Sequence, residues 1–100
     1  MSDGPDLAFL QAGEQLLRIH HFRFVSAQGC ALGSVEVLVE EALGRGVAHG
    51  GWRCLARPHH PQLVAKPDYA VHGDSVEVAL RGLVERLRSR PLTEAFLPSR

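Results

Sequence analysis

The tetrapeptide Ser-Val-Glu-Val occurs twice in this chain, at residues 34–37 and 75–78, and it constrains the fold more than any other feature. Each copy follows a stretch with strand character, at residues 22–26 and 63–71. The positions behind each tetrapeptide stay apolar in register, as Leu38, Val39, Ala42 and Leu43 in the first copy and Ala79, Leu80, Leu83 and Val84 in the second. This repeat predicts two similar halves, each a strand followed by a helix.

Helical periodicity supports both predicted helices. In the first copy, apolar residues recur at i, i+3, i+4 and i+7, as Val35, Leu38, Val39 and Ala42, so we expect a helix over 34–43. The second copy begins with capping-box spacing in its Asp variant, Asp74-Ser75-Val76-Glu77, in which Asp74 and Glu77 have the capping role. Its apolar face continues through Ala79, Leu80, Leu83, Val84 and Leu87 before Pro91 ends the predicted helix.

The rest of the chain adds shorter elements. Pro5 and the apolar residues after it predict an N-terminal helix over about 5–18. Alternation with a period of two predicts strands from His20, over 52–57 and over 63–71, the last interrupted by Pro67. We therefore expect an α+β fold in the order α-β-α-β-β-α, with the two similar halves placing their helices on one face of a small, mostly antiparallel sheet. The single domain spans 1–100, with 1–4 and 98–100 frayed.

Composition excludes several classes of function. Eleven basic side chains balance eleven acidic ones, so no net field attracts nucleic acid, and we expect none as a partner. No signal peptide is visible, and no apolar run approaches the roughly 20 residues that span a membrane. Two cysteines, Cys30 and Cys54, without CxxC spacing indicate reduced thiols. These features predict a cytoplasmic protein that uses neither a membrane nor a cofactor.

Cys30 is the strongest candidate for catalysis. It follows a predicted strand and precedes a predicted helix N-terminus, where backbone N–H groups and the helix dipole stabilise a thiolate. If the halves are related by a pseudo-two-fold axis, the segments that precede Ser34 and Ser75 lie at equivalent helix ends, which would bring Cys30 and His72 to one region. A small cysteine-dependent enzyme or a metal- or redox-sensing protein is therefore the alternative function. Buried packing of an ordinary thiol is the simpler interpretation.

Histidine and cysteine residues also raise the question of a metal site. Six histidines are present, yet no HxxxH, HExxH or paired CxxC motif occurs. A composite site from His49, Cys54, His59 and His60 is one hypothesis. Exposed histidines in a Pro-His-His-Pro turn are the other, so no metal is assigned.

The segment 64–80 carries a family resemblance. Its sequence is Val-Ala-Lys-Pro-Asp-Tyr-Ala-Val-His-Gly-Asp-Ser-Val-Glu-Val-Ala-Leu, with a Pro-Asp turn and a Gly-Asp-Ser helix start. It resembles the strand–turn–helix segment of HicB-type antitoxin domains, although it lacks the Pro-Gly-Cys step of that family. The resemblance does not extend to residues 1–50. It implies a small β-β-α module that oligomerises and masks a partner protein.

The absence of a catalytic constellation favours a non-catalytic protein-interaction or regulatory module that self-associates or docks on a partner. The candidate contact surface consists of Trp52, Leu63, Val64, Tyr69 and Val71. Pro61 and Pro67 remove backbone donors, so the predicted strand 63–71 suits a sheet edge. We expect a homodimer that covers this edge, because isologous contacts require only one surface patch.

Overall fold

A computed structural model describes residues 7–26, 33–43, 51–88, 90 and 92–97 of the 100-residue chain. Within these ranges the chain forms a four-stranded antiparallel sheet, one α-helix and two short 3-10 helices. The strands are β1 (Leu17–Val25), β2 (Ser34–Ala42), β3 (Cys54–His59) and β4 (Val71–Gly73), the helix is α1 (Val76–Arg88), and the 3-10 helices are Pro67–Tyr69 and Leu92–Ala95.

The sheet is a simple meander with strand order β1-β2-β3-β4, so β1 and β4 are its two edges. Directly opposed residues in neighbouring strands share a face. The helix face carries Phe22, Phe24, Val35, Val37, Val39, Cys54, Ala56 and Val71, and the open face carries Ile19, His21, Arg23, Glu36, Leu38, Glu40, Leu55, Arg57, His59 and His72. The helix α1 contacts β2, β3 and β4.

Strand β2 supplies the centre of the core. Val35, Val37 and Val39 alternate along the strand, and all three side chains are buried on the helix face. The intervening Glu36 and Glu40 lie on the open face, where water reaches their carboxylates. This alternation of β-branched and acidic residues is typical of a half-buried strand, in which successive side chains point to opposite faces.

Helix α1 packs its apolar stripe on the sheet. Ala79, Leu83 and Leu87 are buried, and the hydroxyl of Ser75 accepts a hydrogen bond from the Val78 N–H at 3.2 Å to cap the first turn. The observed cap is therefore Ser75, one position after Asp74, which the capping-box spacing predicts as the cap. Close approach to β4 requires Gly82, because a Cβ at this position would lie 2.6 Å from Val71 Cγ1.

Residues 63–69 and 95–97 close one end of the core. Ala65 and Phe96 form an isolated antiparallel bridge, in which the Lys66 N–H donates to the Ala95 carbonyl and the Leu97 N–H donates to the Val64 carbonyl, both at 2.8 Å. Ala95 and Phe96 are thereby held in the buried cluster. Tyr69, at the end of the first 3-10 helix, joins the same cluster.

The predicted order α-β-α-β-β-α is wrong: the described residues follow the order β-β-β-β-α, and the two halves do not share one architecture. Residues 34–42 form β2 instead of a helix, because Val37 is buried together with Val35 and Val39 as one strand face. The second copy does form the expected helix, and the sheet is antiparallel as expected.

Three further expectations need correction. The described part of the predicted N-terminal helix contains turns, with Gly13 at a φ of +87° that a right-handed helix does not accommodate, before β1 begins at Leu17. The predicted strand 63–71 is a bridge, a 3-10 helix and the first residue of β4. The predicted strand 52–57 is shifted, because β3 runs from Cys54 to His59 and includes Pro58 of the predicted Pro-His-His-Pro turn. The Pro58 nitrogen points away from β2 at a position beyond the end of β4, so no ladder donor is required there.

Candidate functional site

The outer edge of β1 is the longest open hydrogen-bonding edge in the described sheet. Ser26 N–H donates to the Gly33 carbonyl and Leu43 N–H donates to the Leu16 carbonyl. Because antiparallel strands alternate between hydrogen-bonded and non-hydrogen-bonded pairs, the even-numbered residues of β1 bond to β2. The N–H and C=O groups of the odd-numbered residues from Leu17 to Val25 therefore point away from the sheet.

Exposed apolar side chains concentrate along this edge. Among the described residues, eight large apolar side chains are exposed, and four of them lie on β1 or next to it. These four are Leu16, Ile19, Phe22 and Val25, with exposed fractions between 38% and 65%. Ile19 and Val25 lie on the open face and Phe22 on the helix face, so both flanks of the edge are apolar. Such a concentration marks an interaction surface.

The helix does not cover the side of the sheet that contains β1. Phe24 packs against the buried cluster, whereas Phe22 stays exposed and stacks on His20 with ring centroids 6.4 Å apart. His20 Nε2 contacts Glu41 Oε1 at 2.8 Å. On the helix face of β1, His20 and Phe22 therefore form an aromatic pair, and Glu41 of β2 fixes the position of the His20 ring.

The charge of β1 is wholly basic. Its nine residues include Arg18 and Arg23 together with two histidines, and none is acidic. The acidic partners come from β2: Arg23 Nη2 lies 3.1 Å from Glu36 Oε2, and both side chains are largely exposed. Among the described residues, no carboxylate lies within ion-pairing distance of Arg18.

At the centre of the open face, cross-strand polar pairs surround the apolar side chain of Leu38. Arg57 Nη2 lies 3.0 Å from Glu40 Oε2, and the rings of His21 and His59 meet edge to face at 6.4 Å. Leu38 lies between these side chains and is 8% exposed. The centre of the open face is therefore a solvated, ion-paired surface, which contrasts with the exposed Ile19 and Val25 on the same face at the β1 edge.

Two shallow clefts flank the helix. The first lies between the 3-10 helix, β4 and α1 and is lined by Asp68, Tyr69, Val71, Gly82, Glu85, Arg86 and Arg90. The buried Tyr69 hydroxyl has no hydrogen-bond partner among the described residues. The second cleft is lined by Gly51, Trp52, Arg53, His72, Gly73, Asp74 and Val78. Two carboxylates and two guanidinium groups line the first cleft, so it presents no single charge to a ligand.

The sequence-derived catalytic candidates are not brought together. Cys30 lies outside the described residues. His72 is exposed on the open face of β4. The other cysteine, Cys54, is buried beneath α1, and burial, followed by the carboxylates of Glu41 and Asp74, raises the pKa of its thiol, with Arg53 opposing. A raised pKa keeps Cys54 protonated at neutral pH, so it is not an activated nucleophile.

The residues of the metal hypothesis are separated. His49 lies outside the described residues. Cys54 and His59 occupy opposite ends and opposite faces of β3, about 17 Å apart along a strand that rises about 3.4 Å per residue. His60 accepts a hydrogen bond from the Gln62 N–H and packs edge to face on Phe96. No group of three or more metal-ligating side chains occurs among the residues that the structure describes.

The predicted contact surface is distributed over several environments. Tyr69 is 3% exposed and belongs to the core, whereas Val64 is 66% exposed. Trp52, Leu63 and Val71 are half-buried. As a binding surface, this set of residues stays a prediction. The expected homodimer depended on residues 63–71 being an edge strand, and they are not, so this expectation is wrong. The expected regulatory role is corrected as well, because no described residue supports it.

Comparisons with protein-family models, curated proteins and solved structures found no match for this chain. The resemblance of residues 64–80 to HicB-type antitoxin domains is not tested by these results and stays a prediction. Neither α1 nor any other helix in the described ranges is long and apolar enough to cross a membrane.

The β1 edge was not among the sequence-derived candidate sites, yet the sequence holds a signal for it. Residues 17–25 place apolar side chains on both faces of the strand, at Ile19 and Val25 on one face and Phe22 and Phe24 on the other. A strand with one solvated face alternates apolar and polar residues. Apolar residues on both faces therefore indicate that the second face also contacts protein. Which strand lies at the edge is decided by the meander, and the sequence does not specify this order.

Proposed function

We propose that this protein is a non-catalytic protein-interaction module that binds an extended segment of another chain along the outer edge of β1. Strand addition of this kind uses main-chain hydrogen bonds for affinity and the alternating side chains for specificity. The observation that carries the proposal is the nine-residue edge strand whose outward backbone groups lie between exposed apolar side chains on both faces.

The opposite edge of the sheet is a poorer docking site. Strand β4 has only three residues, and α1 packs directly on it. An added strand at β1 could form a ladder along all nine residues, whereas β4 offers one third of that length. Long exposed apolar edges are a liability that proteins usually cover, and a bound segment supplies that cover at β1.

Two matched histidine variants test the docking edge. His21 and His72 both lie on the open face, both belong to edge strands, and both direct their N–H groups away from the sheet. His21→Pro removes an outward donor from β1 and places a pyrrolidine ring in the path of an added strand, while every β1–β2 hydrogen bond stays available. His72→Pro makes the same change at β4.

Quantitative pull-down from the native host should recover at least one protein with the wild type and His72→Pro but not with His21→Pro. Far-ultraviolet circular dichroism and thermal melting would establish that both variants fold. Equal recovery by all three proteins, or loss only with His72→Pro, would exclude the β1 edge as the docking site.

The cysteine-dependent alternative receives no support from the described residues, because Cys30 is outside them and Cys54 is held protonated. The HicB-type resemblance and the cytoplasmic location likewise remain predictions. Alkylation of Cys30 at neutral pH at the rate of a free thiol would agree with the module; a thiolate-like rate well below pH 7 would favour the enzyme.

A further inference from the structure

We infer that the segment that docks on β1 is acidic: an extended stretch of a different protein that places two carboxylates opposite Arg18 and Arg23, with apolar residues between them. This inference rests on the proposed function and names the chemistry of the partner. Its basis is the charge of β1 and the manner in which the chain itself already pairs that strand.

Strand β2 shows which sequence complements β1. In the observed register Glu36 lies opposite Arg23 and Glu41 lies opposite Arg18. Glu36 forms an ion pair with Arg23, and Glu41 reaches diagonally to His20. Between these glutamates lie the apolar Val37, Leu38 and Val39, followed by Glu40, which pairs with Arg57 of β3. The inner edge of β1 is thus occupied by an acidic, apolar strand.

The outer edge presents the same side chains to an incoming strand. Arg18 has no ion-pair partner among the described residues, and only one guanidinium nitrogen of Arg23 contacts Glu36. An arginine carries five N–H donors, so Arg23 can bond a second carboxylate while keeping the first. Opposite charges directly across a strand pair stabilise it, and like charges destabilise it.

The spacing of the two arginines defines the required pattern. Arg18 lies on the helix face and Arg23 on the open face, five positions apart. Because strand side chains alternate, carboxylates five residues apart in the partner also lie on opposite faces, one opposite each arginine. Apolar partner side chains between them would cover Ile19 and Phe22, which are both exposed.

A second copy of this chain is a poorer occupant of the edge. If two β1 strands lay side by side, neither central strand would contribute a carboxylate, since the acidic residues belong to β2. The register that pairs all nine residues would also place His21 opposite the His21 of the second copy. Charged side chains on an edge strand are a known device against such self-pairing.

The direct test uses two nine-residue peptides, both acetylated, amidated and labelled with a fluorophore. The acidic probe has the β2 sequence Ser-Val-Glu-Val-Leu-Val-Glu-Glu-Ala, and the basic probe has lysine at the positions of Glu36 and Glu41. Fluorescence anisotropy with the full chain should show that the acidic probe binds roughly 2- to 30-fold more tightly, as expected for two cross-strand charge pairs. Added salt should reduce this difference.

Charge variants of β1 make the test specific. Arg18→Gln with Arg23→Gln should remove the preference for the acidic probe, and Arg18→Glu with Arg23→Glu should reverse it. His21→Pro should abolish binding of the acidic probe, and His72→Pro should not. Acidic-probe binding that persists in His21→Pro would show exchange with the chain's own β2, and it would overturn the inference.

Three further outcomes would overturn the acidic partner without excluding strand docking. One is equal or tighter binding of the basic probe by the wild type. Another is a wild-type dimer in light scattering that His21→Pro converts to a monomer, which would identify a second copy as the occupant. The third is a host protein whose capture requires His21 but is equally efficient with the wild type and with the Arg18→Gln, Arg23→Gln variant. This result would agree with the proposed function and exclude an acidic partner.

Discussion

Truncation of Val37 is the sharpest test of whether residues 34–42 form a strand. Val37 is fully buried on the helix face between β1 and β3. Val37→Ala removes the equivalent of two methylene groups, worth about 1.6 kcal/mol at about 0.8 kcal/mol each. A cavity of roughly 50 Å³ would add about 1.2 kcal/mol. We expect a loss of about 2–3 kcal/mol in the free energy of unfolding.

The measurement is urea denaturation followed by circular dichroism, with the slope of the transition checked for change. Val25→Ala is the matched control, since Val25 is 65% exposed on β1 and should cost less than about 0.5 kcal/mol. A helix over 34–43 with the stripe Val35, Leu38, Val39 and Ala42 would leave Val37 outside the core. A cost below about 0.5 kcal/mol for Val37→Ala would therefore refute the strand assignment.

Three other perturbations probe the helix and its contacts. Ser75→Ala should cost about 1 kcal/mol in urea denaturation, because the Val78 N–H loses its capping acceptor; no loss would show that the cap is dispensable. Gly82→Ala should destabilise by about 1–3 kcal/mol despite alanine's helix propensity, because its Cβ would clash with Val71. Adding Val71→Ala should relieve this clash, so the double variant should lose less stability than the sum of the two single variants. A loss equal to that sum would argue against the contact. Burial raises the pKa of the Cys54 thiol above its usual 9.0. The protonated thiol therefore contributes to the free energy of unfolding below that pH, and this contribution is lost as pH rises through the folded-state pKa. The decrease in stability at alkaline pH should be smaller in Cys54→Ala, and an unchanged decrease would contradict this linkage.

The repeated tetrapeptide shows how far the sequence predicts this fold. Residues 75–78 begin a helix because Ser75 caps it and apolar positions continue through Leu87, long enough to cover the sheet. Residues 34–37 begin a strand because β1 and β3 pair with it on both sides, and its alternate residues Val35 and Val37 are buried on the helix face. A local pattern that suits both periods is decided by tertiary pairing, which no window of sequence contains.

The candidate site was missed for a related reason. The strand character of residues from His20 onward is visible in the sequence, and the structure confirms that His20, Phe22 and Phe24 share a face. The strand order of the meander makes β1 an edge, and its helix-face side stays exposed because α1 packs over β2, β3 and β4. That placement follows from close helix–strand contact at Gly82 and Val71, two positions whose proximity is specified only by the folded chain.

The bridge between Ala65 and Phe96 has a consequence for the order of events during synthesis. The meander of β1, β2 and β3 can pair as each strand leaves the ribosome, since its hairpins join neighbours in sequence. Ala95 and Phe96 enter the core only when the ribosome has released the chain beyond Leu97. Until then the cluster around Tyr69 is uncovered at one end, so chaperone binding to stalled nascent chains should decrease sharply once residues 95–97 have emerged.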